Sequence, residues 1–162
     1  MQKLHEITSQ CQTAQEYSEE QCELLIEILS ILYKTVGKIE DSKDLVKKTV
    51  VKDDILTDLQ ILLAVKHNVL IRCVFECILT LFEWAAQQDP PVEINSYFCN
   101  SFTVSKLLLI LESFSDEFRI LASDTLTYLF RYKTSGDLVK IFRELGGSEK
   151  LMGLLMTCSN SN

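Results

Sequence analysis

Three five-residue stretches, ILSIL at 28–32, CILTL at 77–81 and TLTYL at 125–129, recur at steps of 49 and 48 residues. A second set of landmarks keeps nearly the same interval: the leucine pattern L-x-x-L/I-L falls at Leu59, Leu62, Leu63, at Leu107, Ile110, Leu111 and at Leu151, Leu154, Leu155, at steps of 48 and 44 residues. Repetition at this spacing narrows the available folds sharply. Each copy is a supersecondary unit too small to bury its own apolar face, so neighbouring copies must cover one another.

The repeated unit is helical. Apolar residues at spacing 3.6 dominate the chain, as in the stripe Leu24, Leu25, Ile28, Leu29, Ile31 and Leu32 of residues 19–37. The same grammar runs through 69–86 and 117–132, the latter with Ser115 as N-cap and Asp116 and Glu117 in the first turn, where acidic groups suit the helix dipole. Turn chemistry separates the helices at 41–43, at 88–91, where Pro90 and Pro91 exclude helix, and at 133–137. None of these breaks has the length or composition of a flexible linker. The expected organisation is a single helical domain over 1–162: a partial unit at 1–37, repeats at about 44–86 and 93–132, a partial unit at 137–157 and a disordered tail at 158–162.

Composition limits the function classes. A net charge of −7 opposes general nucleic-acid binding, which needs a surplus of Lys and Arg. No apolar run reaches the roughly 18–20 residues of a membrane span, and MQKLHEITSQCQ has no signal-peptide core. The expectation is therefore a cytoplasmic or nuclear protein whose six cysteines are reduced and pack as small hydrophobes. Cys73 and Cys77 share a helix face and would make two zinc ligands, but neither His5 nor His67 completes a ligand spacing with them. No cofactor or metal is expected. No phosphate-binding glycine loop, nucleophile elbow or histidine metal motif is present, and the carboxylate pairs Glu19-Glu20 and Asp53-Asp54 fall at helix starts or turns, so the chain does not read as an enzyme.

Only one pair of adjacent glycines occurs, in FRELGGSEKLMGLL at 142–155, between two helical runs. Together with SDEFRILASDTLTYLF at 115–130, this stretch resembles the armadillo repeat, whose plan is a short helix, a glycine corner, a second helix and a long third helix. The resemblance extends over most of the chain and implies an all-α, armadillo-like α-solenoid of stacked helix triplets. HEAT-like repeats share the general plan, and a period near 48 exceeds the roughly 40 residues of an armadillo unit. In such repeats the glycine pair turns the chain sharply, a role implied here for Gly146 and Gly147. The equivalent corners of the other copies would be Asp54-Ile55 and Phe102-Thr103.

The resemblance further implies a groove lined by third helices that binds a partner protein or peptide, and so a scaffold or adaptor. In the peptide-binding armadillo proteins that carry nuclear import cargo, each third helix presents an asparagine with a tryptophan one turn earlier. Those positions hold Ile31, Thr80 and Tyr128, and Glu27, Glu76 and Asp124, so neither ladder is kept. The three carboxylates, with Glu83 beside the second, would instead favour a basic partner, although amphipathic helices carry such solvated faces without any binding role. Lys34 and Arg131, one turn further on, dilute the acidity.

A second reading uses the basic residues of the short helices. Lys43, Lys47, Lys48 and Lys52, echoed by Lys140, Arg143 and Lys150, would serve a helical adaptor for nucleic acid or an acidic membrane surface, or form an ordinary solvated face. Trp84, next to Phe82, reads as a core or inter-repeat anchor. The final unit has first and second helices but no third, and each uncovered leucine costs about 1.5–3 kcal/mol. Leu151, Leu154 and Leu155 are therefore expected to meet a second copy of the chain or further repeats.

Overall fold

A computed structural model describes residues 2–11, 17–38, 55–88, 94–113, 115–131 and 136–159. The described residues form nine α-helices and no strand. The chain divides into two compact units, Met1–Tyr97 and Phe98–Asn162. The first short helix expected within 44–54, its lysine cluster and Pro90-Pro91 lie outside the described residues.

The first unit contains α1 (Gln2–Cys11), α2 (Glu19–Lys38), α3 (Ile55–Leu62) and α4 (Asn68–Ala86). Ser18 starts α2 with a reciprocal capping box: its hydroxyl accepts from the Gln21 N–H at 3.2 Å while its own N–H donates to Gln21 Oε1 at 2.9 Å. The helix then buries Cys22, Leu25, Leu29, Leu32 and Val36, a seam with steps of three and four residues. Ile31, expected on the apolar stripe, lies off this seam and is 58% exposed. At the start of α4, His67 Nδ1 accepts from the Leu70 N–H at 3.2 Å. This helix is covered on several sides, burying ten residues that include Phe75, Phe82 and Trp84. Trp84 and Phe82 are thus core residues.

Helix α2 packs on α4 and α1 on α3, with α1 also touching α2 and α3 touching α4. Each of the first two pairs is tied by a side-chain hydrogen bond. Cys77 Sγ of α4 donates to the Leu29 carbonyl of α2 at 3.3 Å, across 48 residues. Thr8 Oγ1 of α1 lies 2.5 Å from Asp58 Oδ1 of α3, across 50 residues. Both spans match the sequence period, so α1 stands to α3 as α2 stands to α4.

The short α5 (Asn95–Phe98) crosses the boundary between the units. The second unit continues with α6 (Ser101–Ser113), α7 (Asp116–Arg131), α8 (Gly136–Glu144) and α9 (Gly147–Ser159). Helix α6 is its centre, packing on α7, α8 and α9. Its apolar face buries Val104, Leu107, Leu108, Ile110 and Leu111. Arg119 closes the end of α6 by donating to the Leu111 carbonyl at 3.1 Å, and Lys150 of α9 reaches Glu112 Oε2 at 2.5 Å.

The corner expected at Phe102-Thr103 falls earlier, at Cys99-Asn100. Asn100 is the cause: its side-chain oxygen accepts from the Thr103 N–H at 2.9 Å, which places Phe102 and Thr103 in the first turn of α6. The glycine corner lies where the sequence placed it. Gly146 follows α8 at φ 69° and its N–H donates to the Arg143 carbonyl at 3.1 Å, the left-handed helix end that glycine adopts without penalty. Gly147 serves a different need. A Cβ there would lie 2.5 Å from the Phe142 ring, so its lack of a side chain lets α9 start against that aromatic.

Candidate functional site

In the first unit, α2 and α4 carry the candidate residues Glu27 and Ile31, and Glu76, Thr80 and Glu83. Glu27 and Glu76 are exposed, and neither forms an ion pair with any described residue. Each carboxylate sits beside a buried contact, Glu27 two residues before Leu29 and Glu76 immediately before Cys77. The Cys77–Leu29 hydrogen bond therefore holds the helices that present them side by side. Ile31 adds an exposed apolar side chain one turn after Glu27, Thr80 is half-buried one turn after Glu76, and Glu83 is exposed. Glu27, Glu76 and Glu83 are thus exposed acids on two packed helices, with Lys34 and Arg72 exposed on the same pair.

The second unit holds the remaining members of the set on α7. Asp124 and Arg131 are exposed and Tyr128 is half-buried. Asp124 therefore stands in a different unit from Glu27 and Glu76.

The cysteine pair has a packing environment. The Cys77 thiol is pushed up to about 12, first by burial and then by the neighbouring Cys73 and the Glu76 charge. Burial and Glu76 also raise the Cys73 thiol. Metal ligation and nucleophilic attack both require thiolates, which these surroundings disfavour. Among the described residues no group of three or more His, Cys, Asp or Glu is placed to hold a metal ion, and no helix is long and apolar enough to cross a membrane.

The basic residues of the later copy divide. Lys150 is held by Glu112, Lys140 lies 3.9 Å from Glu144, and Arg143 is exposed. Lys43, Lys47, Lys48 and Lys52 lie outside the described residues.

Two features of the structure were not singled out in the sequence. The first is Asp58, a carboxylate 1% exposed between α1 and α3, where Thr8 Oγ1 and His5 Nδ1 approach Oδ1 at 2.5 and 3.3 Å. Its only sequence signal is an acid at a core-facing position in ILTDLQILL. The second is an open groove of about 380 Å³ in the second unit, lined by Leu126, Thr127, Phe130 and Arg131 of α7, Phe142 of α8 and Leu151 of α9. Phe130 and Phe142 meet edge to face there, ring centres 5.2 Å apart. The apolar surface continues along α9, with Leu151, Met152 and Met156 at 37, 57 and 62% exposure, and Leu154 is half-buried. The Leu155 side chain lies outside the described residues. In the two earlier copies all six residues of the leucine pattern are at most 3% exposed. Compared with models of known families, with curated proteins and with solved structures, the chain matches none.

Proposed function

We propose that this chain is a non-enzymatic interaction scaffold of the armadillo-like solenoid type, working in the cytoplasm or nucleus. It binds a basic protein or peptide on the helices of the first unit that carry Glu27, Ile31, Glu76, Thr80 and Glu83; Asp124, Tyr128 and Arg131 hold the positions of the second unit that the sequence period makes equivalent. The observation that supports the reading is the pair of inter-helix hydrogen bonds at one repeat interval, Cys77 to Leu29 and Thr8 to Asp58. Two helix pairs related by the same translation along the sequence are what a stacked array requires. Glu27 and Glu76, one repeat interval apart on the packed helices α2 and α4 of the first unit, create a local negative field, which speeds the encounter with a positively charged segment.

A pull-down from cell extract tests this, comparing the intact chain with the triple variant Glu27→Lys, Glu76→Lys, Asp124→Lys. Circular dichroism and thermal melting establish that the variant remains folded. The reading expects the recovered partners to be lost or strongly reduced by the three reversals, and unchanged recovery refutes it. Retention of the intact chain on heparin or anionic vesicles that collapses with added salt would instead favour the nucleic-acid or membrane role.

A further inference from the structure

We infer that α1 is a releasable strap over Asp58: it opens while the rest of the first unit stays folded, and its opening turns a buried carboxylate over to water.

Little holds α1 in place. Of its described side chains only Leu4, Ile7 and Thr8 are buried, whereas α2 buries five residues and α4 ten. Its ten residues are fewer than the roughly 12–15 that an isolated helix needs in water. Lys3 sets a positive charge in the first turn, where the helix dipole opposes it and no acidic residue compensates. The helical form of α1 therefore depends on its packing against α3 and α2.

The packing against α3 encloses a charge that the closed form satisfies poorly. Asp58 is 1% exposed, and Thr8 Oγ1 and His5 Nδ1 approach its Oδ1 at 2.5 and 3.3 Å. Both of these partners belong to α1. Oδ2, equally enclosed, has no hydrogen-bond partner among the described residues. The Thr8 hydroxyl also lies 3.0 Å from the Leu4 carbonyl and 3.1 Å from that of His5, and its one hydrogen cannot serve all three acceptors. A buried acceptor short of donors raises the free energy of the closed form. Lifting α1 hydrates both oxygens, which offsets part of the cost of exposing Leu4 and Ile7.

The remainder of the unit has its own support. Helices α2 and α4 pack on each other and share the Cys77–Leu29 hydrogen bond, with no residue of α1 between the two bonded groups. Opening is then a local step that ends short of unfolding. The open form adds Asp58 to the acids that the first unit presents to water, so the position of α1 sets how acidic that unit is toward its surroundings. The device holds whatever the helices bearing Glu27 and Glu76 bind.

Two measurements on the full chain test it. Nuclear magnetic resonance follows amide hydrogen exchange, and a carbodiimide with excess glycinamide converts water-exposed carboxylates to amides, read at Asp58 by peptide mass spectrometry. Without denaturant, the Ile7 and Thr8 amides are expected to exchange at least about 100-fold faster than those of Leu29 and Ile78, and amidation of Asp58 to keep pace with α1. Thr8→Val, which removes the hydroxyl beside the carboxylate, should raise Asp58 amidation about tenfold. Circular dichroism checks that this variant keeps its helices, and the exchange comparison on the parent chain needs no variant. A single common exchange rate for α1 and α4 overturns the inference. So does fast exchange in α1 with Asp58 left unmodified, because α1 would then only fray. Amidation that begins only in urea that melts α4, or that Thr8→Val leaves unchanged, overturns it as well.

Discussion

At the residue scale, the buried polar groups carry the sharpest consequences. Asp58 is almost wholly removed from water, and its second oxygen, Oδ2, has no hydrogen-bond partner among the described residues. Thr8 has a single hydroxyl hydrogen to share among Asp58 and the Leu4 and His5 carbonyls, so the carboxylate depends heavily on a few donors. Thr8→Val should therefore destabilise the first unit by about 1–3 kcal/mol in urea unfolding, the cost of leaving a buried acceptor short of a donor. The double variant Thr8→Val, Asp58→Leu should recover part of that loss, since an apolar pair of similar shape carries no desolvation penalty. Cys77 makes a second prediction. With its thiol near 12, only about one molecule in ten thousand is a thiolate at pH 8, so native Cys77 should resist alkylation by iodoacetamide while the urea-unfolded chain reacts readily. A thiol whose pKa is higher when folded than unfolded contributes stability that is complete below its unfolded value near 9 and is lost as pH rises from there through about 12.

At the element scale, the helix corner between α8 and α9 separates two uses of glycine. Gly146→Ala forces an L side chain into the left-handed region and should cost about 1 kcal/mol. Gly147→Ala drives a methyl group into the Phe142 ring and should cost about 1–3 kcal/mol. Melting curves of the two variants, each against the parent chain, read the two costs separately. Helix α2 offers a similar contrast between its buried seam and its open face. Leu25→Ala or Leu29→Ala should cost about 2–5 kcal/mol because both side chains are fully buried. Ile31→Ala, at 58% exposure, should change stability by no more than about 0.5 kcal/mol. If Ile31 contributes to the partner face, the same variant still lowers partner recovery.

At the scale of the whole molecule, helicity, the four-dozen-residue interval and the glycine corner were legible because they rest on local chemistry: apolar spacing, capping groups and a residue without a Cβ. The misplaced corner before α6 shows where such reasoning fails. Asn100 competed with the period as the start of the helix, and its cap to Thr103 prevailed. The first unit buries its own core around Leu25, Leu29, Phe75 and Ile78, so residues 1–97 expressed alone should remain helical and unfold cooperatively by circular dichroism; a non-cooperative melt would refute this. The sequence by itself determined that the chain is helical and that its helices recur at a fixed interval, since both depend on neighbours within a few turns. Only the tertiary structure decided that Asp58 is enclosed while Glu27 and Glu76 face water, and that one leucine pattern of three is left partly open. Those outcomes depend on which distant helix covers a given face, and residues some fifty positions away supply that cover.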